Sequence, residues 1–155
     1  MRSRIKESIM KTCTFFGHKN APQDLKIAIK EKISELIGEH GVIMFYVGNH
    51  GQFDSMVRSI LKELKAVYPQ IDYSVVLAYL PNKDTVIENS ILPEGIELCH
   101  PKFAIDYRNR WMVERSECVI TYVTRSRGGA AKYKKFAQNR GKTVYELNEI
   151  KKVNE

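Results

Sequence analysis

The chain of 155 residues is long enough for one domain with a sizeable core, and its 43% hydrophobic and 28% charged residues suit a globular protein. No apolar run approaches the roughly 20 residues of a membrane-spanning helix, and none follows the basic start as a secretory signal would, so a cytoplasmic protein with no membrane partner is expected. The net charge of +7, from 25 Lys and Arg against 18 Asp and Glu, favours an anionic partner such as a nucleotide, a polynucleotide or a phosphorylated metabolite; the plain alternative is a solvated basic surface.

Residues 1–10, MRSRIKESIM, are polar and basic without a clear period and predict a loose arm, leaving residues 11–155 as a single domain. TCTFFGH predicts a short strand over residues 12–18, ended by Gly17. Asn20 and Pro22 then signal a helix start, and Leu25, Ile29, Ile33, Leu36 and Ile37 recur at helical spacing until Gly38 or Gly41. VIMFYV, residues 42–47, is a continuous apolar run, as in a strand covered on both faces. Met56, Val57, Ile60, Leu61, Leu64 and Val67 give a second apolar helix face.

YSVVLAYL predicts a third strand over residues 73–80, halted at Pro81. Residues 82–107 form a long irregular segment with Pro93, Gly95 and Pro101 around a short strand at IELC. A helix is expected over residues 108–117, a strand over 118–123, a helix over 129–140 ended by Gly141, and a last strand at TVYEL. Strands alternating with amphipathic helices predict an α/β fold: a Rossmann-like three-layer sandwich, with a mostly parallel central sheet and helices on both faces. Ligands of such folds collect at the carboxyl ends of the strands. The turns FFGHK, YVGNHGQFD and YVTRSRGGAAK all lie at such ends.

Those turns supply the candidate ligand residues. Gly128 and Gly129 open a helix directly after an apolar strand, where backbone N–H groups and the helix dipole favour an anion. Ser126 and Ala130 flank them, and Lys132, Lys134 and Lys135 crowd the first turns of that helix. Cations there oppose the dipole, which a bound anion would explain; a Gly-Gly turn before a solvated basic face is the alternative. Gly48 and Gly51 would let a ligand approach the backbone, Asn49 tolerates unusual dihedrals, and Asp54, beside Phe53, could hold a ribose hydroxyl or simply stabilise the helix N-terminus. Gly17, His18 and Lys19 complete the edge. On the predicted helix from Arg108, the residues Arg108, Trp111, Met112 and Arg115 share one face, suited to phosphate and a stacked base; Trp111 and Met112 in the core is the alternative. Cys13, Cys99 and Cys118 lack C-x-x-C spacing and read as reduced thiols, and His18, His40, His50 and His100 show no ligand spacing. Neither a metal site nor a cofactor is expected.

TFFGHK, GNHGQFD, RNRWMVERSECVITYV and GGAAKYKKFAQNRGKTVYEL, in this order over residues 12–147, resemble the SLOG superfamily of Rossmann-like proteins. That superfamily groups the DNA-processing protein Smf/DprA with the LOG phosphoribohydrolases, and the YspA/YpsA-like branch is the most similar. The resemblance implies a nucleotide-type ligand held by residues matching Gly17, His18, Gly48, Gly51, Asp54, Arg108, Asn109, Gly128 and Gly129. LOG enzymes carry P-G-G-x-G-T-x-x-E, whose glutamate takes part in cleaving the N-glycosidic bond. Here Arg127 stands for Pro, Ala131 for Gly, Lys132 for Thr and Lys135 for Glu, which disfavours that reaction.

The leading expectation is binding of a nucleotide or nucleotide-derived, ADP-ribose-like ligand, for sensing or sequestering it. One rival is an N-glycosidase or phosphoribohydrolase-type enzyme, with Asp54, Asp106 or Glu114 as the weak catalytic candidates. The other is single-stranded nucleic-acid binding, as in DNA-processing proteins. A homo-oligomer is compatible with each.

Overall fold

The computed structural model describes residues 11–147. The arm expected over residues 1–10 lies outside the described residues, as do residues 148–155.

Six strands form one sheet: β1 (Lys11–Gly17), β2 (Val42–Val47), β3 (Asp72–Val76), β4 (Ser90–Ile91), β5 (Cys118–Tyr122) and β6 (Thr143–Glu146). Their order is β4-β3-β2-β1-β5-β6, and every neighbouring pair is parallel. A parallel sheet is covered on both faces, and the strands show it. β5 is buried at all five positions, and along β1 Cys13 and Phe15 enter one core while Phe16 enters the other. Helices α1 (Leu25–His40) and α2 (Gly51–Val67) pack on the first face, and α3 (Ala104–Glu114) and α4 (Gly129–Asn139) on the second. This is the Rossmann-like three-layer sandwich.

The order reverses at β1: the chain winds outward through β2 and β3, then returns to add β5 on the other side. The crevice between the carboxyl ends of β1 and β5 is therefore the topological switch point, where open α/β sheets bind ligands.

Element limits differ from expectation for local reasons. Helix α1 runs through Gly38 and stops at Gly41, whose left-handed backbone (φ +69°) lets its N–H donate to Leu36 O. β3 ends at Val76 rather than at Leu80, because β4 offers it only two residues to pair with; Leu80 is 79% exposed. IELC is not a strand: Ile96–Leu98 is a 3-10 turn entered from Gly95 at φ +82°. A second 3-10 turn, Pro101–Phe103, is capped by His100, whose Nδ1 accepts the Lys102 N–H at 3.0 Å. That turn feeds α3, which starts at Ala104, four residues earlier than expected. Val67, placed on the apolar face of α2, is exposed at its end.

Gly17 ends β1 directly above the buried Phe53 ring of α2. A Cβ there would sit 2.3 Å from the ring carbon. Gly17→Ala is therefore expected to force overpacking and to lower the unfolding free energy by roughly 1–3 kcal/mol. A denaturant midpoint equal to the parent's would show that Phe53 does not need this space.

Candidate functional site

The switch-point crevice holds a cavity of about 570 Å³, within the range of small-molecule sites. Four chain segments build it. The β1–α1 loop brings Gly17, His18, Lys19 and Asn20; the start of α2 brings His50 and Asp54. Helix α3 contributes Ile105, Arg108, Asn109 and Met112, and the β5–α4 junction contributes Arg125, Gly129, Ala130 and Tyr133. Phe15 and Phe16 close the floor.

The α4 N-terminus is open to an anion. Gly128 enters it with φ +100°, no side chain caps it, and its first turn carries no acid. A Cβ on Gly129 would meet nothing within 4 Å, while the Arg125 guanidinium lies 3.8 Å from the corresponding point on Gly128. Free N–H groups, dipole and cation thus point at one spot. His18 holds this loop against β1: its ring Nε2 accepts the Thr124 N–H at 2.8 Å, and its backbone N–H donates to Tyr122 O at 3.3 Å. Burial, then the charge of Arg125, lowers the His18 pKa, so the ring stays neutral and keeps its acceptor.

Across the cavity lies a buried cation. Arg108 is 2% exposed; its Nη1 donates to Val76 O at 2.7 Å, its Nε to Asn109 Oδ1 at 2.7 Å, and its Nη2 lies 3.2 Å from His50 Nδ1. An arginine can only donate, so His50 Nδ1 is the acceptor and its ring is neutral. Burial, followed by the charges of Arg108, Lys19 and Arg58, lowers the His50 pKa in the same sense. Asp54 accepts the His50 backbone N–H at 3.1 Å. Burial raises its pKa to about 6, against the opposing pull of that bond and of Arg108 and Arg58. Among the described residues it is the one carboxylate lining the cavity.

The glycines of GNHG serve this packing rather than a ligand, contrary to expectation. A Cβ on Gly48 would lie 2.8 Å from Asp54 Oδ2 and 2.9 Å from Arg108 Nη1. Gly51 has φ +86°, and its Cβ would lie 2.9 Å from Lys19 Cα, where Gln52 N–H bonds Lys19 O. Neither borders the cavity, and neither do Asn49 and Phe53, the latter buried beneath Gly17.

Gly17, His18, Lys19, Asp54, Arg108, Asn109, Gly129 and Ala130 are brought together as the sequence suggests. Trp111 is not: it packs edge-on against Tyr46 (5.1 Å between centroids), with the Arg115 guanidinium 4.5 Å over its ring. The assumed common face divides, because Arg108 and Met112 turn into the protein while Trp111 and Arg115 lie beside them. Lys132 also leaves the anion spot, since its Nζ pairs with Asp106 at 3.3 Å. The Tyr133 hydroxyl donates to the same carboxylate. Although burial alone would raise the Asp106 pKa, these bonds and the Arg110 charge hold it below the usual range. Ser126 and Gly128 stand outside the lining, and Glu114 pairs with Arg140 at 2.9 Å. Of the residues not foreseen, Arg125 and His50 sat inside the quoted turns, and Tyr133 follows Gly129 by one helical turn. Ile105 carried no signal while α3 was expected to start at Arg108.

Comparison with solved structures finds this fold in DNA processing protein A (DprA) from Streptococcus pneumoniae, with a TM-score of 0.64 and 15% sequence identity over 88% of this chain and 50% of that one. The chain therefore spans about half the length of that protein. The likeness shows a DprA-like Rossmann fold. No family model and no curated protein matches the sequence. Among the described residues, no helix is long and apolar enough to cross a membrane.

Two outcomes follow from the buried charges. Asp54 binds its proton more tightly folded than unfolded, so stability falls as pH rises from the ordinary value of 3.8 to about 6, and the cost persists above. Asp54→Asn should raise the unfolding free energy by roughly 1–2 kcal/mol above about pH 7 and by nothing near pH 4; an equal effect at both would contradict the burial. Arg108→Ala should cost about 3 kcal/mol by stranding Val76 O and Asp54. A melting curve equal to the parent's would place the guanidinium elsewhere.

Proposed function

We propose that the chain binds a nucleotide or nucleotide-derived, ADP-ribose-like ligand at the carboxyl edge of its sheet, in order to sense or sequester it. One observation carries this reading: a single cavity at the switch point joins an uncapped helix N-terminus, flanked by Lys19 and Arg125, to apolar walls. An anion suits the first end and a planar ring the second. Gly129 and Ala130 offer backbone N–H groups to phosphate, Lys19 and Arg125 add charge, and Asp54 accepts from a ribose hydroxyl. The motif resemblance to the YspA/YpsA-like branch agrees with a nucleotide-binding domain, and three free cysteines agree with a reducing cytoplasm.

Binding without cleavage is the preferred form. Lys135 occupies the place of the LOG glutamate, is exposed, and does not line the cavity. Glu114 and Asp106 are held by other cations, which leaves Asp54 alone for acid–base work. Incubation of the protein with nucleoside monophosphates should release no free base, and Lys135→Glu should not create that activity.

Single-stranded nucleic acid is the second reading, favoured by the DprA-like fold and the +7 charge. Its mark is an affinity that grows with chain length and falls steeply with salt. Mononucleotide binding that ignores an oligonucleotide competitor argues against it. Mass spectrometry of small molecules released on denaturing the protein identifies the ligand directly.

Gly129→Asp tests the anion end. It sets a carboxylate among the N–H groups at an exposed turn with open space, so nucleotide affinity should fall at least about tenfold, or roughly 1.4 kcal/mol, with little change in melting temperature. Unchanged affinity by calorimetry moves the phosphate elsewhere.

A further inference from the structure

We infer that Cys13 and Cys118 form a modification site: a cross-strand dithiol that hydrogen peroxide oxidises to an intramolecular disulfide, while the third thiol, Cys99, stays out of the reaction. The two residues stand directly opposite each other on the neighbouring parallel strands β1 and β5. Both belong to the same core cluster, so their side chains leave the sheet on one face. Adjacent strands run about 4.8 Å apart, inside the roughly 4.4–6.8 Å between α-carbons that a disulfide spans. The sulfurs are close as well, each thiol being the other's side-chain hydrogen-bond neighbour. Their remaining contacts are to backbone and weak: Cys13 donates to Thr14 O at 3.5 Å and Cys118 to Thr12 O at 3.9 Å. A bond between them would tie together the two strands whose carboxyl ends bound the crevice.

The two thiols are not equivalent. Cys13 is fully buried, whereas Cys118 opens β5 directly after the exposed Glu117, at the amino-terminal rim of the sheet, where Lys11 and Thr143 are also exposed. A thiolate rather than a thiol attacks a peroxide. The hydrogen bond from Cys13, helped by the charge of Lys11, holds Cys118 below the usual thiol range, against its burial and the charge of Glu117. Burial and the neighbouring Cys118 push Cys13 well above that range. Cys118 is therefore the attacking sulfur and Cys13 the resolving one. The Cys118 thiolate takes one oxygen of hydrogen peroxide and breaks its O–O bond; the hydroxide released recovers the proton that Cys118 gave up and leaves as water. The Cys13 sulfur then attacks the Cys118 sulfenic acid, forming the S–S bond and expelling hydroxide, which takes the Cys13 proton as a second water. Two thiols lose two electrons and one peroxide becomes two waters. Cys99 lies half-exposed before the second 3-10 turn, where its thiol donates to His100 O at 3.4 Å. Exposure alone would make it the first thiol to react, so the inference turns on pairing.

The test exposes the full chain, reduced and under native conditions, to a small excess of hydrogen peroxide, then maps its thiols by alkylation and peptide mass spectrometry. A peptide pair joining Cys13 to Cys118, lighter by two hydrogens, should appear while Cys99 remains alkylatable, and dithiothreitol should reverse it. Cys99→Ser should form the same bridge at the parent's rate. Cys13→Ser should stop at the Cys118 sulfenic acid, trapped as its dimedone adduct, and Cys118→Ser should leave Cys13 unoxidised. The map of the parent decides the matter whether or not the two core variants fold. Oxidation of Cys99 while Cys13 and Cys118 stay reduced overturns the inference. So does a bridge that includes Cys99, or a Cys13–Cys118 bridge that forms only in denaturant.

Discussion

The carboxyl edge of this sheet is organised around one buried guanidinium. Arg108 reaches from α3 to the last carbonyl of β3, to the His50 ring at the entry to α2, and to the neighbouring Asn109. These contacts join elements far apart in sequence, so the start of α2, the end of β3 and the inner wall of the cavity are positioned by a single side chain. A buried charge with most of its donors satisfied costs little beyond its desolvation, and the facing Asp54 offsets part of that cost. Burial, against the opposing pull of Arg108, raises the Asp54 pKa to about 6, a perturbation more often found at sites that handle ligands than in plain cores.

This arrangement explains why the chain spends glycine where it does. Gly48 is the gap through which Asp54 and Arg108 approach the backbone, Gly51 is the gap for Lys19, and Gly17 the gap for Phe53. In each case the space is filled by the protein itself, and a ligand need not be invoked. Gly129 differs, since nothing of the protein occupies the volume its side chain would take. Of the glycine turns at this edge, the one preceding α4 is therefore the one whose emptiness a ligand can use.

The alternation of apolar strands with helical spacing made the fold legible, because a parallel sheet buried on both faces leaves continuous runs such as VIMFYV and CVITY that little else produces. Legibility failed where partners decide. β4 is two residues long and exists only because β3 is beside it. The 3-10 turns before α3 depend on a side-chain cap from His100, and without them the helix start could only be placed at the first periodic residue. The site was legible as a set of turns at one edge, but not in its detail. Trp111 and Lys132 have the right chemistry for a nucleotide, yet Tyr46, Arg115 and Asp106 claim them, and those partners lie from 4 to 65 positions away in sequence.

Charge pairing narrows what the basic surface can do. In TRSRGGAAKYKK, Lys132 is matched by Asp106 and Lys134 by Glu146, whereas Arg125, Arg127 and Lys135 have no carboxylate partner among the described residues. A general solubilising surface would not distinguish these positions. Pairing instead takes up Lys132 and Lys134 on the flank of α4 and leaves Arg125 and Arg127 before its N-terminus, with Lys135 in its second turn, so two of the three unpaired cations stand where N–H groups are free. Focused potential of this kind, beside a walled cavity, matches a compact anion better than a long strand, because a strand gains most from cations spaced along a groove. On the proposed nucleotide reading, the apolar α3 side of the cavity, with Ile105 and Met112, is where the ring of such an anion would lie.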